Sequence, residues 1–175
     1  MQLRMVPIAL SLLATLTLLF GGWFLYQKME VEEPIKHEIG QMESAKLARL
    51  EVAKDRIQVD LTVTNPELFP REYQDLRVKL ADLLQNKAVD ITIHNNAKAL
   101  EDIWTNGVFS FTEAVDLHEY SRIPQIVSQW KEAYRLDEAS TQMDEENIYV
   151  YLKRGTDDFY TIVPRYPAKE VTARG

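Results

Sequence analysis

An uncharged apolar segment near the N-terminus, Val6–Tyr26, constrains this chain more than any other feature. A bilayer hydrocarbon core about 30 Å thick is crossed by roughly 20 helical residues, and this segment supplies 21 positions. Trp23 and Tyr26 lie near its distal end, where interfacial aromatic residues concentrate. Three hydroxyl side chains can donate hydrogen bonds back to helix carbonyls: Ser11, Thr15 and Thr17. The sequence therefore predicts a transmembrane helix with Val6, Trp23 and Tyr26 as anchor residues.

Two other origins for such a segment fit the pattern less well. A secretory signal peptide has an apolar region of about 7–15 residues and a cleavage site between small residues, whereas this run continues past Gly21 and Gly22 into bulky side chains. A core helix of a soluble domain shows a polar face at this length, and this segment has none. The chain contains no cysteine, which excludes lipoprotein processing. We therefore expect a retained single membrane span.

The flanking charges give little guidance on orientation. Arg4 precedes the segment, and Lys28 and Lys36 follow it, so the lysine and arginine counts on the two sides are nearly equal. A very short N-terminal flank ahead of a long domain is the usual layout of an uncleaved signal anchor. We expect a single-pass protein of the cell membrane with a cytoplasmic N-terminus and an extracytoplasmic domain.

The rest of the chain is acidic. Arg4 is the only charged residue before Lys28, so 19 of the 20 basic residues accompany all 27 acidic ones. An acidic domain lacks the electrostatic attraction that drives nucleic-acid binding, and no polybasic patch for anionic lipid follows the span. The predicted organisation is a short flank over 1–5, the membrane helix over 6–26, a stalk or linker helix over 27–50, one soluble domain over 51–167 and a disordered tail over 168–175.

Alternation of apolar and polar residues predicts two strands around one helix. Residues 57–63 and 89–93 alternate with a period of two, which is typical of strands with one buried face. Between them, Pro70 occupies a favoured first-turn position of a helix, and the apolar face of that helix extends to Gln85. If the two strands are parallel, the crossover is expected to be right-handed.

The second half of the chain predicts helices followed by a hairpin. A short helix is expected to end at Gly107, a brief extended piece and a further helical turn from Thr112 follow, and a longer helix begins at Ser121. A polar loop over 137–147 leads to a hairpin whose turn lies around Gly155–Asp158. The predicted fold class is α+β: a single transmembrane helix, then a small two-layer α/β sandwich-like domain of about four strands in the order β-α-β-α-α-β-β.

Recognisable motifs for catalysis or cofactor binding are lacking in this sequence. His37, His94 and His118 are scattered, and without cysteine a zinc site would need distant carboxylates. No serine lies in a nucleophile elbow, and no glycine-rich phosphate loop is present. We predict no catalytic residue, no metal site and no cofactor. His94 and Asn95, at the end of the second strand, are the candidate ligand-binding residues.

The aromatic residues of the predicted hairpin make both faces of that ribbon apolar. Tyr149, Tyr151 and Phe159 lie there among aliphatic neighbours. Such a ribbon is covered either by helices of the same chain or by a partner, and tyrosine is a favoured contact residue at interfaces. These three residues are the predicted interaction surface.

These observations favour a bitopic membrane protein whose envelope-side domain mediates protein–protein interaction in assembly or scaffolding. The partner would be another protein or a second copy of the chain. One alternative is a membrane-anchored small-molecule sensor that binds its ligand between the helices and the sheet, with His94 and Asn95 at the mouth. Another, less favoured, is a membrane-tethered hydrolase.

Overall fold

The computed structural model describes residues 5–53, 56–84 and 87–166, and within the first helix the side chains of residues 9–23. Of the predicted anchor residues, Trp23 is therefore described, whereas the side chains of Val6 and Tyr26 lie outside the described part. The predicted tail over 168–175 lies outside it as well. The described chain is a mixed α+β structure with an N-terminal apolar helix, four further α-helices and two three-stranded sheets.

The first helix, α1 (Met5–Gln27), is long and apolar enough to cross a membrane. Its described side chains are exposed and do not pack against the described part of the domain; Leu18, for example, is 77% exposed. Thr15 Oγ1 donates to the Ser11 carbonyl at 2.9 Å and Thr17 Oγ1 to the Leu13 carbonyl at 2.8 Å. Both hydroxyl groups thus bond within the helix, as predicted, and a helix buried in the domain core is excluded for this segment.

A short π-helical turn (Lys28–Glu32) joins α1 to α2 (Glu33–Gly40), where the sequence predicted the start of a stalk. Pro34 lies in the first turn of α2, which a proline tolerates because the amide there needs no helical acceptor. Ile35 and Ile39 are 0% and 1% exposed. Glu38 also forms an ion pair with Lys79 at 2.6 Å. The structure corrects the expected stalk, since α2 belongs to the domain core.

The first sheet has the strand order β1 (Ala45–Val52), β2 (Arg56–Val63), β3 (Ala88–Ile93). β1 pairs antiparallel with β2, and β2 pairs parallel with β3. The crossover between β2 and β3 is α3 (Phe69–Leu83), which carries Pro70 in its first turn as predicted. One face of β2 and one face of α3 form a common core with α2. β1 occupies residues that the sequence assigned to the stalk and the start of the domain.

The second sheet has the order β4 (Glu138–Met143), β5 (Asn147–Arg154), β6 (Asp157–Pro164), with both pairs antiparallel. Gly155 has a φ of 63° in the two-residue turn between β5 and β6, which confirms the predicted hairpin. β4 is a correction, because residues 138–143 were predicted to be loop. Two helices pack on one face of this sheet: α4 (Lys98–Asp116) and α5 (Ile123–Tyr134).

The predicted break at Gly107 is also wrong. Helix α4 runs through Gly107 and through Thr112 without interruption. Helix α5 begins at Ile123 after a 3-10 turn over Tyr120–Arg122, and its N-cap is Arg122, one residue after Ser121. The described part of the domain has six strands in two sheets, rather than the predicted four or so.

Candidate binding cleft between the two sheets

β3 and β6 are the outer strands of their sheets and lie near each other. Among the described residues, no backbone-to-backbone hydrogen bond joins them. The connection is made by one side chain: Asn95 Nδ2 donates to the Tyr160 carbonyl at 2.9 Å, and the Tyr160 N–H donates to Asn95 Oδ1 at 2.8 Å. Asn95 thus imitates a backbone amide and clips the two sheets together at the end of β3.

A cleft of about 650 Å³ opens beyond this clip. It is lined by four residues of α3, by three residues of β3, by the turn between β4 and β5, and by the last residue of β6. The cleft is of the size that ligand sites typically have. Its lining combines two tyrosines with apolar and charged side chains: Tyr73, Arg77, Leu80, Ala81, Lys87, Val89, Asp90, Ile91, Glu146, Asn147, Pro164 and Tyr166.

The charges of the cleft are partly compensated within it. Arg77 of α3 forms an ion pair with Glu146, which precedes β5, and its guanidinium lies 5.9 Å from the centre of the Tyr73 ring. Burial raises the pKa of Tyr73 above its usual value, so the phenol stays neutral. Lys87 and Asp90 bring one charge of each sign to the β3 side.

Asp144 lies in the turn between β4 and β5, next to the cleft-lining residues Glu146 and Asn147. Its Oδ1 accepts the backbone N–H groups of Glu146 and Asn147 at 2.8 and 2.7 Å, and its Oδ2 accepts Tyr149 Oη at 2.5 Å and Gln74 Nε2 at 2.8 Å. Partial burial alone would raise the pKa of Asp144, but these four hydrogen bonds outweigh it and the pKa is lowered. The carboxylate therefore fixes the turn to α3 and to β5.

Asn147 contributes a buried polar group to the same cleft. The residue is 7% exposed, and its Nδ2 has no hydrogen-bond partner among the described residues. A buried amide without a partner costs about 1–3 kcal/mol. Asn147 is part of the cleft lining, and an acceptor that reached its Nδ2 would remove this cost.

The predicted ligand-binding residues lie at the closed end of this arrangement. His94 is exposed, and its backbone N–H donates to the Leu61 carbonyl at 2.8 Å, which extends the pairing of β2 and β3 by one residue. Asn95 is the clip itself. Neither side chain lines the cleft, so the structure places both beside the site and gives Asn95 a positioning role.

The predicted interaction surface lies inside the domain. Tyr149, Tyr151 and Phe159 are 1%, 8% and 4% exposed. β5 is the central strand of its sheet, and its two faces are covered by different parts of the same chain: the tyrosines pack with Phe69 and the first sheet, and Phe159 packs with α4 and α5. The sequence indicated correctly that both faces of the hairpin are apolar. Both faces are covered by other parts of the same chain, and not by a partner.

The sequence has two acidic clusters, over 144–146 and 157–158, and both lie at or beside the turns of the second sheet. Among the described residues, no group of three or more His, Asp or Glu side chains is arranged to hold an ion. Asp144 is used in the turn described above, and Asp137 accepts the backbone N–H of Gly155 at 2.5 Å.

One indirect signal for the cleft is present in the sequence: Val89 and Ile91 alternate with charged and polar residues, which is typical of a strand with one face in water. In the structure both side chains are only half-buried. Locating the cleft also required β6 beside β3, and no local pattern indicates that neighbour.

Comparison with known proteins gives no match to this chain among family models, curated proteins or solved structures.

Proposed function

We propose that this chain is a membrane-anchored binding protein whose domain holds an extended segment of a partner protein in the cleft between β3 and β6. The observation that carries this proposal is the pair of facing strand edges without backbone hydrogen bonds between them. An extended peptide can add to such an edge by backbone hydrogen bonds, while pockets select alternate side chains. The anchor is α1, and the predicted orientation places the domain outside the cytoplasm.

The other edge of the first sheet, β1, is less suited to pairing than β3. β1 has an irregular register between Leu47 and Arg49, and charged residues punctuate it. Bulges and charges are features by which sheets prevent pairing at an edge. β3 has no bulge and one charged residue, Asp90, and it borders a cleft that is lined in part by Tyr73 and Tyr166. An added strand therefore has a defined place to bind.

The test uses the full chain reconstituted in phosphatidylcholine nanodiscs. Eight-residue peptides selected from a random library on this sample are resynthesised with an N-methyl group at each backbone position in turn. Addition to a strand edge predicts that affinity falls at every second position, because alternate N–H groups of an added strand point toward its neighbour. The Val89→Glu variant should lose binding, whereas Val78→Glu, on the exposed face of α3 at 62% exposure, should retain it.

A small-molecule ligand is the second candidate for the same cleft, and the buried Asn147 amide without a partner favours it. In that case selected peptides would show no two-residue period, and a compound would protect the chain in a thermal-shift screen in a manner that depends on Asn147. If neither peptide nor compound binding responds to Val89→Glu, the cleft is not the binding site.

The membrane orientation is tested separately. A reporter that is active only outside the cytoplasm, fused after Gly175, should be active. Activity of a cytoplasmic reporter at the same position would reverse the orientation and direct the search for partners to the cytosol.

A further inference from the structure

The outer face of α4 carries apolar side chains that the chain leaves uncovered. Phe109 is 82% exposed and Leu117 is 58% exposed. They border a shallow depression of about 500 Å³ together with Val108, Thr112, Glu113 and Asp116. Single exposed apolar residues are ordinary, but here two large ones share a concave surface on one rigid helix. We call the surface formed by these six residues the α4 face.

The spacing of the α4 face matches a helical partner. Phe109 and Leu117 are eight residues apart, which places them about 12 Å apart along the helix axis at 1.5 Å per residue. A docking amphipathic helix presents apolar anchors at i, i+3, i+4 and i+7, which span about 10 Å, so such a helix can contact both side chains at once. Glu113 and Asp116 lie between the two apolar side chains.

The charges on the α4 face favour a positively charged partner. Two of the six residues that form the α4 face, Glu113 and Asp116, are carboxylates, and none of the six is basic. Arg122, in the turn that follows, forms an ion pair with Glu119 and so adds no net charge. A second copy of the chain would bring the same carboxylates to this surface, and like charges oppose such pairing. A cationic partner would be attracted.

We infer that the α4 face is a docking site for a basic amphipathic helix of a partner protein, with Phe109 and Leu117 as apolar anchors and Glu113 and Asp116 as the groups that receive lysine or arginine. This site is independent of the cleft, because it lies on the opposite side of the second sheet from the tyrosines that pack against the first sheet.

The probe is an 18-residue helical peptide of leucine, alanine and lysine, with leucine along one face and a fluorescent label. Its anisotropy is measured with the full chain in phosphatidylcholine nanodiscs. Phe109→Ala should weaken binding at least about tenfold, as loss of a central apolar anchor does. The control Val78→Ala removes an exposed apolar side chain from α3 and should change the affinity less than about twofold.

Charge dependence is tested with matched variants of the same helix. The double variant Glu113→Gln/Asp116→Asn should weaken binding about three- to tenfold and reduce its dependence on salt, whereas Glu101→Gln/Asp102→Asn should have less effect. A peptide with glutamate in place of lysine should bind at least about tenfold more weakly. Equal affinity of the two peptides, or equal effects of Phe109→Ala and Val78→Ala, would overturn the inference. Self-association that Phe109→Ala abolishes would also overturn it, because a second copy would then be the occupant.

Discussion

Substitution of Gly107 by alanine should destabilise the domain, although alanine is the better helix former. The Cβ atom of an alanine would lie 2.4 Å from Cζ2 and 2.5 Å from Cε2 of the Trp130 ring, and Trp130 is 7% exposed. Overpacking of a filled core costs about 1–3 kcal/mol, and at these distances we take the upper part of that range. Alanine recovers about 1 kcal/mol of helix propensity. The expected net loss is about 1–2 kcal/mol.

The assay is urea denaturation of the full chain in maltoside micelles, followed by far-UV circular dichroism. The same substitution is then made in a Trp130→Leu background, where the smaller side chain leaves room for the methyl group. There Gly107→Ala should be neutral or stabilising by up to about 1 kcal/mol, so the effect changes sign. A glycine after the end of a helix would instead have a left-handed backbone, and alanine would destabilise both backgrounds equally. Equal destabilisation would refute the packing of Trp130 on Gly107.

Three further substitutions test other parts of the structure in the same assay. Asp144→Asn should lower the free energy of unfolding by about 1–3 kcal/mol at neutral pH. Because the folded pKa of Asp144 is lowered, its contribution to stability is complete above about pH 4 and is lost as the pH falls through the folded value. The variant should therefore lose less stability in acid than the original chain. Asn95→Ala should cost about 1–3 kcal/mol through two lost hydrogen bonds, and amide exchange at Tyr160 should accelerate; unchanged exchange would argue against the clip. Ile35→Ala should cost about 2–5 kcal/mol, whereas Lys36→Ala, at a half-exposed side chain with surface ion pairs to Glu32 and Glu33, should cost less than about 0.5 kcal/mol. An Ile35→Ala variant of unchanged stability would support the predicted stalk instead.

The strands that could be predicted from sequence are those with an unbroken period of two. β2 alternates throughout, and its residues on one side are 0–9% exposed. β1 was missed because its register shifts between Leu47 and Arg49, so its apolar residues fall out of phase and no single face is visible in the sequence. A shift of one residue moves every following side chain to the other face.

β4 was missed for a different reason. Its sequence, EASTQM, has no apolar alternation, and the segment is a strand because all six residues pair with β5. That pairing is non-local information, since it depends on the hydrogen-bonding edge that β5 offers. Polar edge strands of this kind cannot be distinguished from loops by composition.

The candidate cleft shows the same division between local and non-local information. The sequence indicated that both faces of β5 are apolar, which is what a central strand requires. It did not indicate that Tyr149 would meet Phe69, with ring centres 6.4 Å apart, and so bring the second sheet against α3. That contact is what sets β6 beside β3.

The junction between α1 and the domain determines how the two proposed binding sites are oriented relative to that helix. The helical path from α1 through the π-helical turn into α2 is unbroken, and α2 packs into the core of the first sheet through Ile35 and Ile39. If α1 spans a membrane, the domain is held through a packed helix rather than a loose linker, since such a helix cannot rotate without disrupting its core contacts. The cleft and the α4 face would then have fixed orientations to the bilayer. A partner with a segment for each site would bind first at one of them. Because the domain holds the two sites at a fixed distance, the second segment would then meet its own site at a high effective concentration.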